Sequence, residues 1–332
     1  MKIYIGGEWI DTAEKIEVLN PYNGEVVDTV PSATPQEVEK ALSSAGRGAQ
    51  VMAELPAYQR FSILMKAAGL LVERQEEFAR LISQESGKAL WESRLEVARA
   101  AETIELSAEE AKRIRGETIP LDAASGGKGK FGFSLRVPCG VVVAISPFNF
   151  PLNLLCHKVA PGLAAGNAVI AKPPSDTPLS GLRFTELLLE AGLPSEGIQC
   201  ITGPGGSVGE QLCKDPRVRK ISFTGSPAVG ERICQLAGIK KVTMELGSNS
   251  PLIIMEDADL EEVAKATAAT GYALAGQVCI STQRVLVNQR VYGDFLDALR
   301  PEVEAIVTGN PLEESTRMGP MIREDDAIRV ES

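Results

Sequence analysis

Between Gly140 and Gly247 five short apolar or β-branched runs alternate with helical stretches of about 10 to 15 residues. The runs are Val141 to Ile145, Ala168 to Ala171, Gly197 to Ile201, Lys220 to Phe223 and Lys241 to Glu245. This rhythm is that of βαβ units, and it predicts an α/β fold built on a Rossmann-like parallel sheet. Each run empties into loop-forming residues: Ser146-Pro147, Lys172-Pro173-Pro174, Gly203-Pro204-Gly205-Gly206, Thr224-Gly225-Ser226 and Leu246-Gly247-Ser248. In a parallel sheet these loops share the carboxyl edge, where doubly wound folds bind ligands. Residues a hundred positions apart are therefore expected side by side.

The flanking segments read differently. Lys2 to Ile5, Glu8 to Ile10 and Glu25 to Val30, punctuated by Gly and Asn-Pro turns, predict a β meander. Apolar residues spaced for one helix face, at Phe61, Leu64, Met65, Ala68, Leu71 and Val72 and again at Phe78, Leu81 and Ile82, predict one amphipathic helix from Pro56 to Gly87; a second is expected from about Ala89 to Arg115. Gly126 to Val137 is Gly-rich and then alternates through Phe131, Phe133, Leu135 and Val137, as a projecting hairpin would. After Gly247 come strand runs at Pro251 to Met255 and Arg284 to Asn288, with helices at Asp259 to Leu274 and Val291 to Val307. At about 150 residues per domain, 332 residues make roughly two. The expected division is 1–125 (the amino-terminal part of the nucleotide domain), 126–137 (the hairpin, an oligomerisation element), 138–247 (the Rossmann-like part) and 248–332. That last piece is an incomplete catalytic domain, with too few strands to close a sheet.

Composition excludes several classes. Thirty-four basic against 44 acidic residues leave a net charge of −10, so no nucleic-acid footprint is expected. No apolar run approaches the roughly 20 residues of a bilayer span, and the first residues lack a secretory pattern, so a cytoplasmic, membrane-free protein is expected. Six cysteines without a Cys-x-x-Cys pair read as reduced thiols. His157 is the only imidazole. Two-histidine metal sites are thereby excluded, no metal is expected, and proton transfer falls to a carboxylate.

The glycine loop Gly203-Pro204-Gly205-Gly206-Ser207-Val208-Gly209 approximates the dinucleotide fingerprint without matching it, and an ordinary turn into a helix explains Gly205 and Gly209 equally well. Ser226 opens a helix whose backbone N–H groups suit a pyrophosphate; it is equally an ordinary N-cap. Lys172 supplies a cation where a ribose would reach, or a solvated lysine before Pro173-Pro174.

Five motifs fix a resemblance. Ser146-Pro147-Phe148-Asn149-Phe150-Pro151, Lys172-Pro173-Pro174, Phe223-Thr224-Gly225-Ser226, Met244-Glu245-Leu246-Gly247 and Gly276-Gln277-Val278-Cys279 stand in the order and spacing of the aldehyde dehydrogenase superfamily. The similarity to its lactaldehyde and semialdehyde members runs from Gly6 to the last residue. The resemblance implies NAD(P)-dependent oxidation of a small aldehyde through a cysteine thiohemiacetal and thioester. It gives Cys279 as nucleophile, Asn149 with the Cys279 N–H as oxyanion donors, and Glu245 as general base. It places the cofactor on Ser146, Pro147, Phe148, Lys172, Pro174, Ser175, Gly205, Gly209, Phe223, Thr224, Gly225, Ser226 and Leu246. Ser175, where NAD-preferring members carry Glu, implies that NADP is accepted alongside NAD, or preferred; its plain alternative is a helix cap. Leu154, His157, Val278 and Ile280 are the implied substrate contacts, with His157 pointing to a small polar aldehyde or serving as a satisfied core histidine. A homodimer or homotetramer is implied for the full-length form. Two departures stand out: Ser248 replaces a usual glycine, and full members exceed 400 residues, so a shortened chain is expected. A nucleotide-binding fragment impaired in turnover, or a CoA-acylating relative, remains open; Glu245 favours hydrolysis over the latter.

Overall fold

The computed structural model describes residues 1–332. The first elements are strands β1 (Ile3–Ile5), β2 (Glu8–Ile10), β3 (Lys15–Leu19) and β4 (Val26–Pro31). Four helices follow: α1 (Pro35–Glu54), α2 (Ala57–Glu73), α3 (Gln75–Ser86) and α4 (Leu90–Ala111). Short strands β5 (Thr118–Ile119) and β6 (Gly132–Phe133) precede the alternating region of β7 (Val141–Ile145), α5 (Asn153–Ala164), β8 (Ala168–Lys172), α6 (Leu179–Glu190) and β9 (Ile198–Cys200). It continues with α7 (Glu210–Lys214), β10 (Val218–Thr224), α8 (Pro227–Ala237) and β11 (Lys241–Glu245). The remainder holds β12 (Pro251–Ile254), α9 (Leu260–Gly271), β13 (Arg284–Val287), α10 (Tyr292–Glu304) and α11 (Glu324–Glu331).

The main sheet has the order β11-β10-β7-β8-β9-β1-β2, and its five inner-chain strands β7 to β11 are parallel. The pleat divides their side chains between two cores. Val142, Ala144, Val169 and Ala171 meet α2 to α6, while Val141, Val143, Ile145 and Ile170 meet α1, α7 and α8. Chain order reverses between β7 and β10: β8 and β9 lie to one side of β7, β10 and β11 to the other. The carboxyl ends of β7 and β10 therefore open a crevice at the switch point, the preferred ligand position of such sheets.

The structure corrects several expectations. The single helix over Pro56 to Gly87 is two, because Arg74 leaves helical geometry at φ −105°, ψ 20° and ends α2 before α3 begins. The expected meander is divided: β1 and β2 extend the main sheet, with β1 antiparallel to β9, whereas β4 pairs with a strand not foreseen, β3. The hairpin begins earlier than residue 126, since β6 pairs with β5 at Thr118 and Ile119. Its apolar side chains stand in solvent, Phe131 and Leu135 at 78% and 73% exposure. Beyond Gly247 the small parallel pair β12–β13 packs on α9 and α10 around Ile254, Ala264 and Phe295.

Candidate active site

A groove of about 590 Å³ runs along the switch point, walled by Ser146, Pro147 and Phe148 after β7, by Thr224, Gly225 and Ser226 after β10, and by Leu246 after β11. Asn149 and Cys279 line its far end. A second lobe of about 530 Å³ contains Lys172, Gly205, Gly206 and Gly209, and shares Pro174, Phe223, Val229 and Arg323 with the first. The two lobes form one elongated cleft. Each is within the size range of small-molecule sites.

The glycines of the second lobe clear space for something other than protein. A Cβ at Gly205 or Gly206 would meet no atom within 4 Å, and one at Gly209 would touch only the Lys172 stem at 3.9 Å. Gly225 differs, because a side chain there would strike the Phe223 ring at 2.5 Å. Ser226 is the N-cap of α8, its Oγ accepting from Val229 N at 3.4 Å. Lys172 is almost fully buried, and burial pulls its ammonium from 10.5 down to about 8, with Asp176 opposing. Ser175 caps nothing and lies outside both lobe linings; its hydroxyl donates to Gly203 O at 3.3 Å. The helix that follows is capped by the buried Glu85 carboxylate, which accepts from Leu179 N at 2.7 Å and Ser180 N at 3.0 Å.

At the other end, Asn149 Nδ2 donates to Gln277 O at 2.9 Å, tying the loop after β7 to the cysteine loop across 128 residues. The Asn149 Oδ1 is buried without a partner, as is the Ser146 hydroxyl. Cys279 N–H makes no hydrogen bond, and Ser248 Oγ donates to Cys279 O. The cysteine loop follows a strained entry: Leu274 at φ 46° and Ala275 at φ 53° are left-handed without being glycine. Each such residue costs about 1–2 kcal/mol, so surrounding contacts must hold the segment in place.

Glu245 ends β11 on the face shared with Thr243, away from the groove and toward α5. Its charge acts on Lys158 and His157. Lys158 donates to Thr224 Oγ1 at 2.6 Å, and burial brings its ammonium down to about 8 against the supporting pull of Glu245. His157 is lowered by burial and then by Lys158 and Arg99, which keeps the imidazole neutral. It lines a separate cavity of about 250 Å³ with Lys158, Lys220 and Thr243. Of the other expected substrate contacts, Val278 lines the groove, while Leu154 and Ile280 lie outside both spaces.

Sequence reading missed Arg323, which reaches both lobes and holds Asp176 through Nε at 3.0 Å and Nη2 at 2.5 Å. It also missed Lys158, Gln277, and the Glu210–Arg232 pair beside the second lobe, with Nε to Oε1 at 2.8 Å. Gln277 stands inside the cysteine motif without a role read for it; no local pattern marks the others, because their partners are remote in sequence. Cys156, Cys200 and Cys213 are buried in the cores, where burial pushes Cys200 up to about 12 and Cys213 to about 11, while Cys139 is half-buried and Cys234 exposed. All six are free thiols.

Comparison with known proteins agrees with this geometry. The model of the aldehyde dehydrogenase family matches residues 9–332. The 3-sulfolactaldehyde dehydrogenase of Priestia megaterium is 48% identical over 329 residues, covering 99% of this chain and 69% of that protein. The lactaldehyde dehydrogenase of Methanococcus aeolicus is 39% identical over 333 residues, covering 99% and 70%. Among solved structures, the NADP-dependent glyceraldehyde-3-phosphate dehydrogenase of Bacillus halodurans, complexed with NADP, superposes with a TM-score of 0.96 at 35% identity over 99% of this chain and 70% of that one. Because sequence and fold agree through both the cleft and the Cys279 loop, the chain belongs to the aldehyde dehydrogenase family.

Proposed function

We infer that this chain oxidises a small hydroxyaldehyde to its acid with NAD(P), using Cys279 as nucleophile. The cleft suits a dinucleotide. It has two connected lobes, bare glycine backbone at Gly205 and Gly206, an orphaned Ser146 hydroxyl, and cations at Lys172 and Arg323. Lys172 and the N-terminal turn of α8 would hold the phosphate-bearing half. Ser146 to Phe148 and Leu246 would flank the ring near Cys279. When bound, the oxidised nicotinamide accepts two electrons from the substrate carbon.

The residues supply the rest. The Cys279 thiolate adds to the carbonyl carbon, a C–S bond forms, and the oxygen gains negative charge. Asn149 has a second Nδ2 hydrogen beyond the one given to Gln277, and Cys279 N–H is free, so two donors are available to that oxygen. Oxidation of the carbon leaves a thioester on Cys279. For Glu245 to take a proton from the water whose oxygen attacks the acyl carbon, its side chain swings from the α5 side of β11 into the groove, and the thiolate then departs as the acid is released.

A short hydroxyaldehyde is favoured because two relatives are named for lactaldehyde and 3-sulfolactaldehyde. Ser175 carries no charge to repel a 2′-phosphate, which favours NADP. Two further readings stand beside these: the exposed hairpin joins copies of the chain, and the protein works in the cytoplasm. No helix is long and apolar enough to cross a membrane.

The Asn149–Gln277 contact beside an unpartnered Cys279 N–H carries the reading. Mixing the chain with NADP and lactaldehyde should produce reduced cofactor. Cys279→Ala should abolish that signal, and its persistence would remove Cys279 from the mechanism.

A further inference from the structure

Three charged residues stand one turn apart, Lys88 just before α4 and Glu92 and Glu96 within it; Lys88 and Glu96 are buried and Glu92 is half-buried. Lys88 and Glu96 form an ion pair at 1% and 0% side-chain exposure. Glu96 Oε1 also accepts from Leu152 N and Asn153 N, both at 3.0 Å, and so holds the start of α5, directly after Asn149 to Pro151. Lys88 Nζ sits 3.8 Å above the Phe150 ring. One turn from Glu96, Glu92 Oε1 accepts from Leu274 N at 3.0 Å, across 182 residues, where the left-handed pair Leu274–Ala275 opens the cysteine loop. Its Oε2 is buried without a partner.

We propose that Glu92 and Glu96 are positioning residues which register the two halves of the reaction centre from one rigid helix. Glu96 fixes the Asn149 loop; Glu92 fixes the strained entry to the Cys279 loop. Residues one turn apart on an α-helix keep a fixed separation of about 5–6 Å, so the distance between the oxyanion donor and the thiol is set by α4 and not by the loops. The Asn149–Gln277 hydrogen bond is the seam where the two loops meet. Without Glu92, nothing in the hydrogen-bond pattern replaces its hold on Leu274 N. The left-handed pair then relaxes, and Cys279 leaves the position facing Asn149.

This inference rests on the roles given above to Cys279 and Asn149, yet its test needs no turnover. Cys279 of the full chain is alkylated with iodoacetamide and the rate read by peptide mass spectrometry, with exposed Cys234 as internal control. Glu92→Leu is expected to raise the rate at Cys279 at least fivefold, leaving Cys234 and NADP affinity within twofold. Glu92→Gln, which keeps an acceptor for Leu274 N, is expected within twofold of the parent. Hydrogen exchange of the unsubstituted chain adds a check independent of any variant: the Leu274 amide should exchange at least tenfold more slowly than the unbonded Cys279 amide. Equal exchange at the two amides, an unchanged rate in Glu92→Leu, or equal acceleration in Leu and Gln variants would overturn the proposal. Loss of turnover in the parent would refute the proposed function without touching these results.

Discussion

Lys172 offers the sharpest quantitative handle on the cleft. Its ammonium is buried at the end of β8 with one hydrogen bond, to Pro173 O at 3.1 Å, and its deprotonation falls from 10.5 to about 8 because burial penalises the charge. That displacement is worth about 3 kcal/mol, at 1.36 kcal/mol per tenfold change in the protonation equilibrium. The folded chain therefore holds an unfavourable charge below pH 8, and this penalty lifts as pH rises from about 8 toward 10.5, where the unfolded chain still binds the proton and the folded one does not. A bound phosphate restores the charged form. On NADP binding Lys172 should thus take up no proton from solution at pH 7 and about one at pH 9, with affinity falling about tenfold between them. Calorimetry of NADP binding in buffers of different ionisation enthalpy measures the uptake directly. Lys172→Met should abolish the uptake and, at pH 7, stabilise the unliganded chain by up to about 3 kcal/mol. Proton uptake at pH 9 that survives in Lys172→Met would refute the placement of this lysine against the cofactor.

Other expectations follow from single contacts. Ser175→Glu should lower the NADP to NAD affinity ratio at least tenfold, about 1.4 kcal/mol, in paired fluorescence titrations; an unchanged ratio would separate Ser175 from the 2′-position. Leu64→Ala, at a site 1% exposed in the helical core, should cost about 2–5 kcal/mol in denaturant unfolding. Phe131→Glu combined with Leu135→Glu should lower the sedimentation coefficient of any oligomer formed through the hairpin while leaving melting temperature unchanged.

The sequence made the central sheet legible because β7 and β8 are buried along their whole length and so appear as near-continuous apolar runs with Gly or Pro close by, whereas β10 is buried continuously only from Ile221 to Thr224. Their crowding at the switch point followed from parallel geometry alone. The break at Arg74 was marked only by the polar run Glu73 to Glu77, which interrupts the apolar spacing between Val72 and Phe78 without a Gly or Pro. The pairing of Tyr4 with Cys200 was hidden for another reason: strand alternation fixes which face is buried but not which strand lies beside it. Charge was the least legible feature. Glu92 and Glu96 stand at a spacing usual for a solvated helix face, yet Glu96 is buried and Glu92 half-buried, because their partners are backbone N–H groups contributed by distant loops. Arg323 reads as an ordinary surface arginine until the fold brings Asp176 beside it.

Covalent capture at Cys279 tests the central claim most directly. The chain is mixed with NADP and lactaldehyde, quenched in acid within the first turnover, and its peptides are weighed. A lactoyl mass on the Cys279 peptide, absent from Cys279→Ala, is the expected result; cofactor reduction with the acyl group on another cysteine, or on none, would contradict it.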